Sequence, residues 1–257
     1  MSILLAGAGV MEFGWAICTW IPAVRYMSRK YEKTIVVCPP GHDYLYQDFA
    51  DEILHTAKSG RCDRWLCEAR VVKPSRPVIV NIGPDKLMVP SEKVCTKGHR
   101  EYRMYGKDKG TGYPLVVHAR AEQDYRSDDR NWPVKRYEKL LRKLGNPEAV
   151  SIGTKSQSAH VPGTTDMRNL PMEELCDLLA SSKLTIGTSS GPIHLAAMCG
   201  CPVAVWTDRS YHKSIKGTNA YRYRKLWNPY RVKATVIDTH GWRPPIGVVE
   251  KAIREML

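Results

Sequence analysis

A short apolar run followed at once by a glycine- and hydroxyl-rich turn and a helix is the sequence feature that most limits the fold. The run at 184–186 reads as a buried strand, and the turn spans 187–191. Pro192 suits the first helical position, where its missing N–H would have no intrahelical acceptor, and Gly200 ends the helix. The next strand is predicted at 203–206. This β-α-β order is typical of a parallel sheet.

The same turn is suited to an anion. Its backbone N–H groups, its Ser and Thr hydroxyls and the positive end of the helix dipole converge on one spot, which favours a phosphate or diphosphate. A plain strand-to-helix connection explains the spacing equally well.

The remaining chain repeats this alternation in two halves. In the first half we predict strands at 3–6, 34–38 and 78–82 and helices at 15–30 and 44–56. In the second half we predict further strands at 115–118, 149–153 and 236–238 and helices at 134–144, 172–181, 192–199 and 246–257. The polar stretch 86–111 has no periodicity and is interpreted as a linker. The expected fold class is therefore α/β, with two Rossmann-like domains, 1–110 and 111–257, facing across a cleft.

Composition narrows the functional classes. Hydrophobic residues make up 43% of the 257 positions, so an intrinsically disordered chain is excluded. The net charge of +13 favours anionic partners such as nucleic acid, a membrane surface or phosphorylated small molecules. None of the eight cysteines forms a CxxC pair, so we expect reduced thiols and no metal site.

The apolar N-terminus, residues 2–24, is interpreted as core rather than as a targeting segment. No cation precedes Arg25, and Glu12 interrupts the run. No stretch reaches the roughly 20 apolar residues that a membrane span needs. We therefore expect a cytoplasmic protein without a membrane span, in the host cytoplasm if a bacteriophage encodes it.

Longer motifs surround the turn. They comprise NLPMEEL at 169–175, TIGTSSGPIHLAA at 185–197, CPVAVW at 201–206 and DRNWP at 129–133. Over 114–207 this pattern resembles the donor-binding half of the heptosyltransferase-type glycosyltransferases, the family 9-like group with the GT-B fold. In the first half, Met11-Glu12-Phe13-Gly14-Trp15 is similar to an E-F-G-W loop of relatives, whereas heptosyltransferases usually carry Gly-Asp there.

The resemblance implies a metal-independent, inverting transfer of a sugar from a nucleotide-sugar to a hydroxyl, with no other cofactor. It implies that the C-terminal half binds the donor and the N-terminal half the acceptor.

Such a reaction needs a base for the acceptor hydroxyl. Glu12 is the best candidate, because it lies in a glycine-rich loop between a strand and a helix. We expect its apolar neighbours to desolvate it in part, which raises a carboxyl pKa. A surface glutamate is the alternative interpretation. Weaker rivals are Asp43, Asp124, Asp128 and Asp129.

The leaving diphosphate needs positive charge and hydrogen-bond donors. The donor-binding candidates are Arg120, Arg130, Thr188, Ser189, Ser190, Gly191 and His194. Salt bridges to Glu122 or Asp124 are an alternative role for the two arginines. A capping or core histidine is an alternative for His194.

The stretch 209–233 carries eight Lys or Arg and no acid, with aromatic residues between them. Cations for phosphates and flat rings for stacking are typical of a nucleic-acid surface. The predicted contacts are Arg209, Lys213, Lys216, Tyr221, Arg222, Tyr223, Arg224, Lys225 and Trp227. An anionic lipid surface or a merely solvated loop would explain the same composition.

Our hypothesis from the sequence is a glycosyltransferase whose acceptor is a hydroxymethylated pyrimidine in double-stranded DNA, of the kind that bacteriophages make. Reaching a duplex base would require flipping it from the stack. One alternative is an envelope sugar transferase acting on lipopolysaccharide or a similar anionic glycan. Another is a non-catalytic nucleic-acid-binding module on a transferase scaffold.

Overall fold

The computed structural model describes residues 1–7, 12–55, 80–90, 99–121, 130–209, 219–225 and 227–257. It divides into two compact units, Met1–Arg103 and Met104–Leu257. Each unit is an α/β layer structure around its own parallel sheet, so the predicted α/β class with two parallel sheets is confirmed.

The first unit has a four-stranded sheet in the order β3-β2-β1-β4, in which all pairs are parallel. Its strands are β1 (Ile3–Ala6), β2 (Lys33–Cys38), β3 (Glu52–His55) and β4 (Lys86–Met88). Its helical segments are α1 (Phe13–Trp15), a π-helical turn (Ala16–Trp20), α2 (Ile21–Ser28) and a 3-10 turn (Asp43–Leu45). The predicted strands at 3–6 and 34–38 and the helix at 15–30 agree with β1, β2 and this helical run.

Three predictions for the first unit are wrong. The predicted helix at 44–56 is instead the 3-10 turn followed by β3, because residues 52–55 pair with β2 in the sheet and tertiary pairing overrides helical spacing. Residues 80–82, predicted as strand, are helical, and the remainder of that prediction lies outside the described residues. The interpretation of 86–111 as a linker is wrong at its start, because residues 86–88 form the edge strand β4, which pairs with β1.

The second unit has a sheet in the order β11-β10-β9-β5-β6-β8, also parallel, and β7 pairs with β5 in the antiparallel sense. Its strands are β5 (Leu115–Arg120), β6 (Ala149–Ser151), β7 (Ser158–Ala159), β8 (Thr165–Asp166), β9 (Thr185–Thr188), β10 (Val203–Trp206) and β11 (Ala234–Ile237). Its helices are α3 (Val134–Lys143), α4 (Met172–Ser181), α5 (Gly191–Met198), α6 (Asn219–Lys225) and α7 (Ile246–Arg254). Most predicted elements of this half agree within a few residues.

An aromatic cluster anchors the core of the second unit. The rings of Trp132 and Tyr137 lie edge to face with centroids 4.7 Å apart, and Trp132 lies 4.9 Å from Trp206. All three are fully buried, beside a β5 strand of which every residue is buried. Burial on both faces is typical of a central strand in a parallel sheet. The core packing around β5 and its neighbour β9 therefore holds the residues at their carboxyl ends in place.

The cysteines within the described residues are free and buried: Cys18, Cys38, Cys176, Cys199 and Cys201. Among the helices that the structure describes, none has the length and hydropathy that crossing a bilayer requires.

Candidate active site

The predicted anion turn lies at the carboxyl edge of the second sheet, between β9 and α5. Strands β5 and β9 are parallel neighbours, with His118 opposite Gly187. A Cβ atom on Gly187 would stand 2.6 Å from the His118 carbonyl oxygen, so only glycine allows the two strands this approach. The carboxyl ends of both strands thus meet at the start of α5, the position at which ligands bind in open α/β sheets.

A buried histidine orients one of the turn hydroxyls. Ser190 Oγ lies 2.9 Å from His118 Nδ1. Burial, with a smaller contribution from the charge of Arg120, lowers the pKa of His118 to about 3. The imidazole is therefore neutral near pH 7, and it fixes the Ser190 hydroxyl without adding charge.

Two arginines at this edge have their side chains more than nine-tenths buried. Arg120, the last residue of β5, donates from Nη1 to Asn131 Oδ1 at 2.8 Å. Arg130 donates from Nη2 to the Ser189 carbonyl oxygen at 2.5 Å, and its guanidinium carbon lies 4.8 Å from the Trp242 ring centroid. The sequence predicted both residues, and the structure brings Arg130 into direct contact with the turn. The salt-bridge partners weighed for them lie at 122–129, outside the described residues.

His194 belongs to a buried aromatic cluster rather than to an open anion site. Its ring stacks on Tyr223 with centroids 4.7 Å apart and meets the edge of Trp227 at the same distance. Burial and the charge of Arg130 lower the pKa of His194 to about 3. The Tyr223 hydroxyl donates to Ser189 Oγ at 3.0 Å. The aromatic cluster therefore stabilises the turn at 187–191 through this hydrogen bond.

The burial of Tyr223 and Trp227 corrects part of the predicted nucleic-acid surface. Their side chains are only 1% and 7% exposed, so neither ring is presented for base stacking. The physical reason is that both rings fill the space behind the Ser189 turn, where their apolar area is removed from water.

The other predicted nucleic-acid contacts differ among themselves. Tyr221 and Arg224 are exposed on α6. Arg209 is exposed and forms an ion pair with Asp238 at 3.2 Å. Lys213 and Lys216 lie outside the described residues, as do the side chains of Arg222 and Lys225.

Glu12 ends the loop that follows β1 and stands directly before α1. Its carbonyl oxygen accepts the N–H groups of Trp15 and Ala16, which starts the helical run. Glu12 is exposed, which contradicts the predicted partial desolvation; Val10 and Met11, two of the apolar neighbours expected to cover it, lie outside the described residues. The rivals Asp124, Asp128 and Asp129 lie outside the described residues.

Sequence reasoning missed most of a second group at the carboxyl edge of the first sheet. His55 Nε2 lies 2.5 Å from Asp43 Oδ1, and the Phe13 ring, next to Glu12 in the chain, lies 5.3 Å from the His42 ring. The buried thiol of Cys38 ends β2, and burial, together with the nearby Asp43, raises its pKa to about 12. Only Asp43 was considered, as a rival base. Because a helix was predicted at 44–56, the sequence analysis did not show that two parallel strands, β2 and β3, end at this point.

No family model matches the chain, and no curated protein sequence matches it. Solved structures do match it. The ADP-heptose lipopolysaccharide heptosyltransferase II of E. coli is 12% identical with a TM-score of 0.63, covering 100% of this chain and 98% of that chain. A family 9 glycosyltransferase from Veillonella parvula DSM 2008 is 13% identical with a TM-score of 0.57, covering 99% and 95%. The E. coli heptosyltransferase WaaC with ADP is 11% identical with a TM-score of 0.56, covering 99% and 97%.

The chain therefore has the GT-B fold of these glycosyltransferases, as the motifs of the second half predicted. At such identities the likeness concerns the fold, and function has to be argued from the site itself.

Proposed function

We propose that the protein transfers a sugar from a nucleotide-sugar to an acceptor hydroxyl with inversion at the anomeric carbon. The observation that carries this proposal is the carboxyl edge of the second sheet, where Arg130, Ser190 and the start of α5 meet in a fold shared with heptosyltransferases.

The second unit is proposed to bind the nucleotide diphosphate. Arg120 and Arg130 supply guanidinium groups that can fork onto phosphate oxygens. The hydroxyls of Thr188, Ser189 and Ser190 and the N–H groups from Gly191 onward supply further donors, because the first turn of a helix leaves its N–H groups without intrahelical acceptors. His194 supports the turn through Tyr223 and Ser189 rather than by charge.

Glu12 is proposed as the base. Its carboxylate takes the proton of the acceptor hydroxyl while that oxygen attacks the anomeric carbon. The bond from this carbon to the diphosphate oxygen breaks, and the electron pair leaves with the diphosphate. The arginines stabilise the charge that develops there. Attack on the side opposite the leaving group gives inversion, and the scheme requires no metal ion on the diphosphate.

The proposed acceptor is a phosphorylated or otherwise anionic glycan. The net charge of +13 suits such a molecule, and the fold neighbours named above include lipopolysaccharide heptosyltransferase II. A hydroxymethylated pyrimidine in DNA is the second candidate. The exposed Tyr221 and Arg224 on α6 favour it, whereas the burial of Tyr223 and Trp227 reduces the surface on which it was predicted.

The test is mass spectrometry of acceptors after incubation with the protein and a panel of nucleotide sugars. One acceptor is a phosphorylated core glycan and the other is duplex DNA that contains hydroxymethylcytosine. A mass increase of one sugar on the glycan supports the first candidate, and the same increase on DNA supports the second. If no panel member yields a glycosylated product and no nucleoside diphosphate binds, the proposed function is wrong.

A further inference from the structure

Three side chains of different chemistry converge at the carboxyl edge of the first sheet. Cys38 is the last residue of β2, His55 is the last residue of β3, and the two are register partners in the parallel pair. Asp43 reaches the same point from the 3-10 turn that follows β2. One sulfur, one imidazole nitrogen and one carboxylate oxygen from these residues all lie within 4.8 Å of one another.

These three atoms are the donor types that Zn²⁺ uses in proteins. Zinc is borderline in softness and takes thiolate, imidazole and carboxylate ligands in tetrahedral geometry. In catalytic zinc sites three ligands come from the protein and the fourth position is left for water or substrate, whereas structural sites have four protein ligands. Within the described residues, the group in the first unit supplies three ligands, the number that the protein provides in catalytic zinc sites.

We propose that Cys38, Asp43 and His55 form a binding site for a divalent transition-metal ion of the zinc class, with three ligands supplied by the part of the chain that the structure describes.

Small movements are enough to admit the ion. His55 Nε2 and Asp43 Oδ1 are now 2.5 Å apart, whereas two ligand atoms about 2.0 Å from a tetrahedral zinc lie about 3.3 Å apart. Their separation therefore grows by about 1 Å, through rotation of two surface side chains. On binding, the Cys38 thiol loses its proton to solvent and becomes the thiolate ligand. The imidazole ligates as the neutral ring, and the carboxylate replaces its hydrogen bond to His55 by a bond to the metal.

The burial of the three residues gives the site a floor and an entrance. Cys38 is fully buried, whereas the side chains of Asp43 and His55 are 43% and 49% exposed. An ion can therefore arrive from solvent between the carboxylate and the imidazole and reach the sulfur beneath them. None of these three residues fills the fourth position of a tetrahedral site, and a bound zinc ion would lower the pKa of a water or a substrate hydroxyl held there.

The site is separate from the proposed diphosphate site, which is built from residues of the second unit. Metal binding here does not depend on sugar transfer, so it can be tested alone. Failure of the proposed function would leave this inference standing, and failure of metal binding would leave the metal-independent handling of the diphosphate untouched.

The experiment is a titration of the metal-free protein with Co²⁺, a spectroscopic substitute for Zn²⁺. A cobalt–thiolate bond gives a charge-transfer absorption band in the near ultraviolet, which oxygen and nitrogen ligands alone do not give. We expect this band to appear with one equivalent of Co²⁺ and to disappear when Zn²⁺ is added.

Variants identify the ligands. Cys38→Ser should abolish the band, and His55→Gln should weaken Co²⁺ binding by about tenfold or more. Because His55 is half-exposed, His55→Gln keeps the proposal testable even if Cys38→Ser fails to fold. His160→Gln, an exposed histidine of the second unit, is the matched control and should bind Co²⁺ as the wild type does. The proposal is overturned if the wild-type protein gives no band, if Cys38→Ser keeps it, or if His55→Gln binds Co²⁺ with unchanged affinity.

Discussion

The carboxyl edges of the two sheets carry opposite chemistry. On the first sheet the edge carries two acids and one imidazole with substantial exposure, Glu12, Asp43 and His55, beside the buried thiol of Cys38. On the second sheet they are guanidinium and hydroxyl groups that are almost entirely buried, among them Arg120, Arg130 and Ser190.

The difference in exposure suits the roles that we propose for the two edges. A carboxylate that is exposed to solvent can take a proton from a hydroxyl and pass it on to water. Cations that stabilise a leaving anion act more strongly when they are desolvated and held in place before the reaction. The first edge is therefore suited to exchanging protons and the second to holding negative charge, which are the two requirements of an inverting sugar transfer.

The largest expected effect comes from removing Glu12, the proposed proton acceptor of the first edge. Glu12→Gln keeps the shape of the side chain but cannot take a proton, so sugar transfer should fall by about 100- to 10,000-fold. Because the side chain is exposed, the thermal unfolding temperature should hardly change. Turnover measured by nucleoside diphosphate release checks this. Glu32→Gln, at an exposed glutamate of the same unit, is the control. Equal turnover in both variants would remove Glu12 from the mechanism.

Removing a cation from the second edge should have the next largest effect. Arg120→Gln or Arg130→Gln each lose charge-assisted hydrogen bonds worth about 1.5–3 kcal/mol, so kcat/KM for the nucleotide-sugar should fall about 10- to 100-fold. Arg142→Gln, at an exposed arginine of α3, should leave kcat/KM unchanged. Nucleoside diphosphate binding by calorimetry should weaken in the two site variants only. Undiminished binding in both would place the diphosphate elsewhere.

Acid should lower the free energy of unfolding of the protein, because two histidines at the second edge, His118 and His194, are buried. The pKa values of His118 and His194 are lowered to about 3, so the unfolded state binds more protons than the folded state below pH 6.5. The free energy of unfolding should therefore decrease as the pH falls from 6.5 towards 3, by about 2 kcal/mol per histidine at pH 5. Above pH 6.5 this contribution is flat.

Urea unfolding at a series of pH values measures the effect. His118→Asn, which keeps an acceptor near the Nδ1 position, should reduce the pH slope. His160→Gln, at an exposed histidine, should not. An identical slope in His118→Asn and the wild type would contradict the neutral buried imidazole.

The smallest expected effect concerns the outer surface of α6 and bears on the DNA candidate. Arg224→Gln should weaken duplex binding a few-fold and lower the salt dependence by about one phosphate contact. Lys139→Gln on α3 is the control, and nucleoside diphosphate binding should be unaffected in both. If the wild-type protein does not retard duplex DNA even at low salt, the DNA acceptor is excluded and the anionic glycan remains.

The second sheet was more predictable than the first because its signals are local. Strand 203–206 and helix 172–181 were predicted with the bounds that the structure has, since Pro202 directly precedes the strand and the helix lies between Pro171 and Ser182. Strand β3 was missed because the Ile53 and Leu54 positions fit a helix as well as a strand. Only their pairing with β2 decides between the two. The order of apolar residues within 52–55 does not reveal a pairing with residues elsewhere in the chain.

The same reasoning explains which site residues could be found. Arg130, Ser189 and Ser190 could be found because they belong to motifs that predict a turn followed by a helix. The inward direction of Tyr223 could not be read from a stretch rich in lysine and arginine, because the exposed Tyr221 and Arg224 lie on the same short helix. Cys38 and His55 come together only through strand register, which sequence spacing does not contain.

The hydrogen bond from Tyr223 to Ser189 gives α6 a consequence for protein engineering. The helix offers Tyr221 and Arg224 to the outside, while Tyr223, between them in sequence, holds the turn at the start of α5. A foreign segment grafted over 219–225 would therefore change two things together, the exposed side chains of α6 and the hydrogen bond that supports the turn. A graft intended to change the acceptor preference has to keep a tyrosine at position 223. The exposed residues can then be replaced while the hydrogen bond to Ser189 still stabilises the turn.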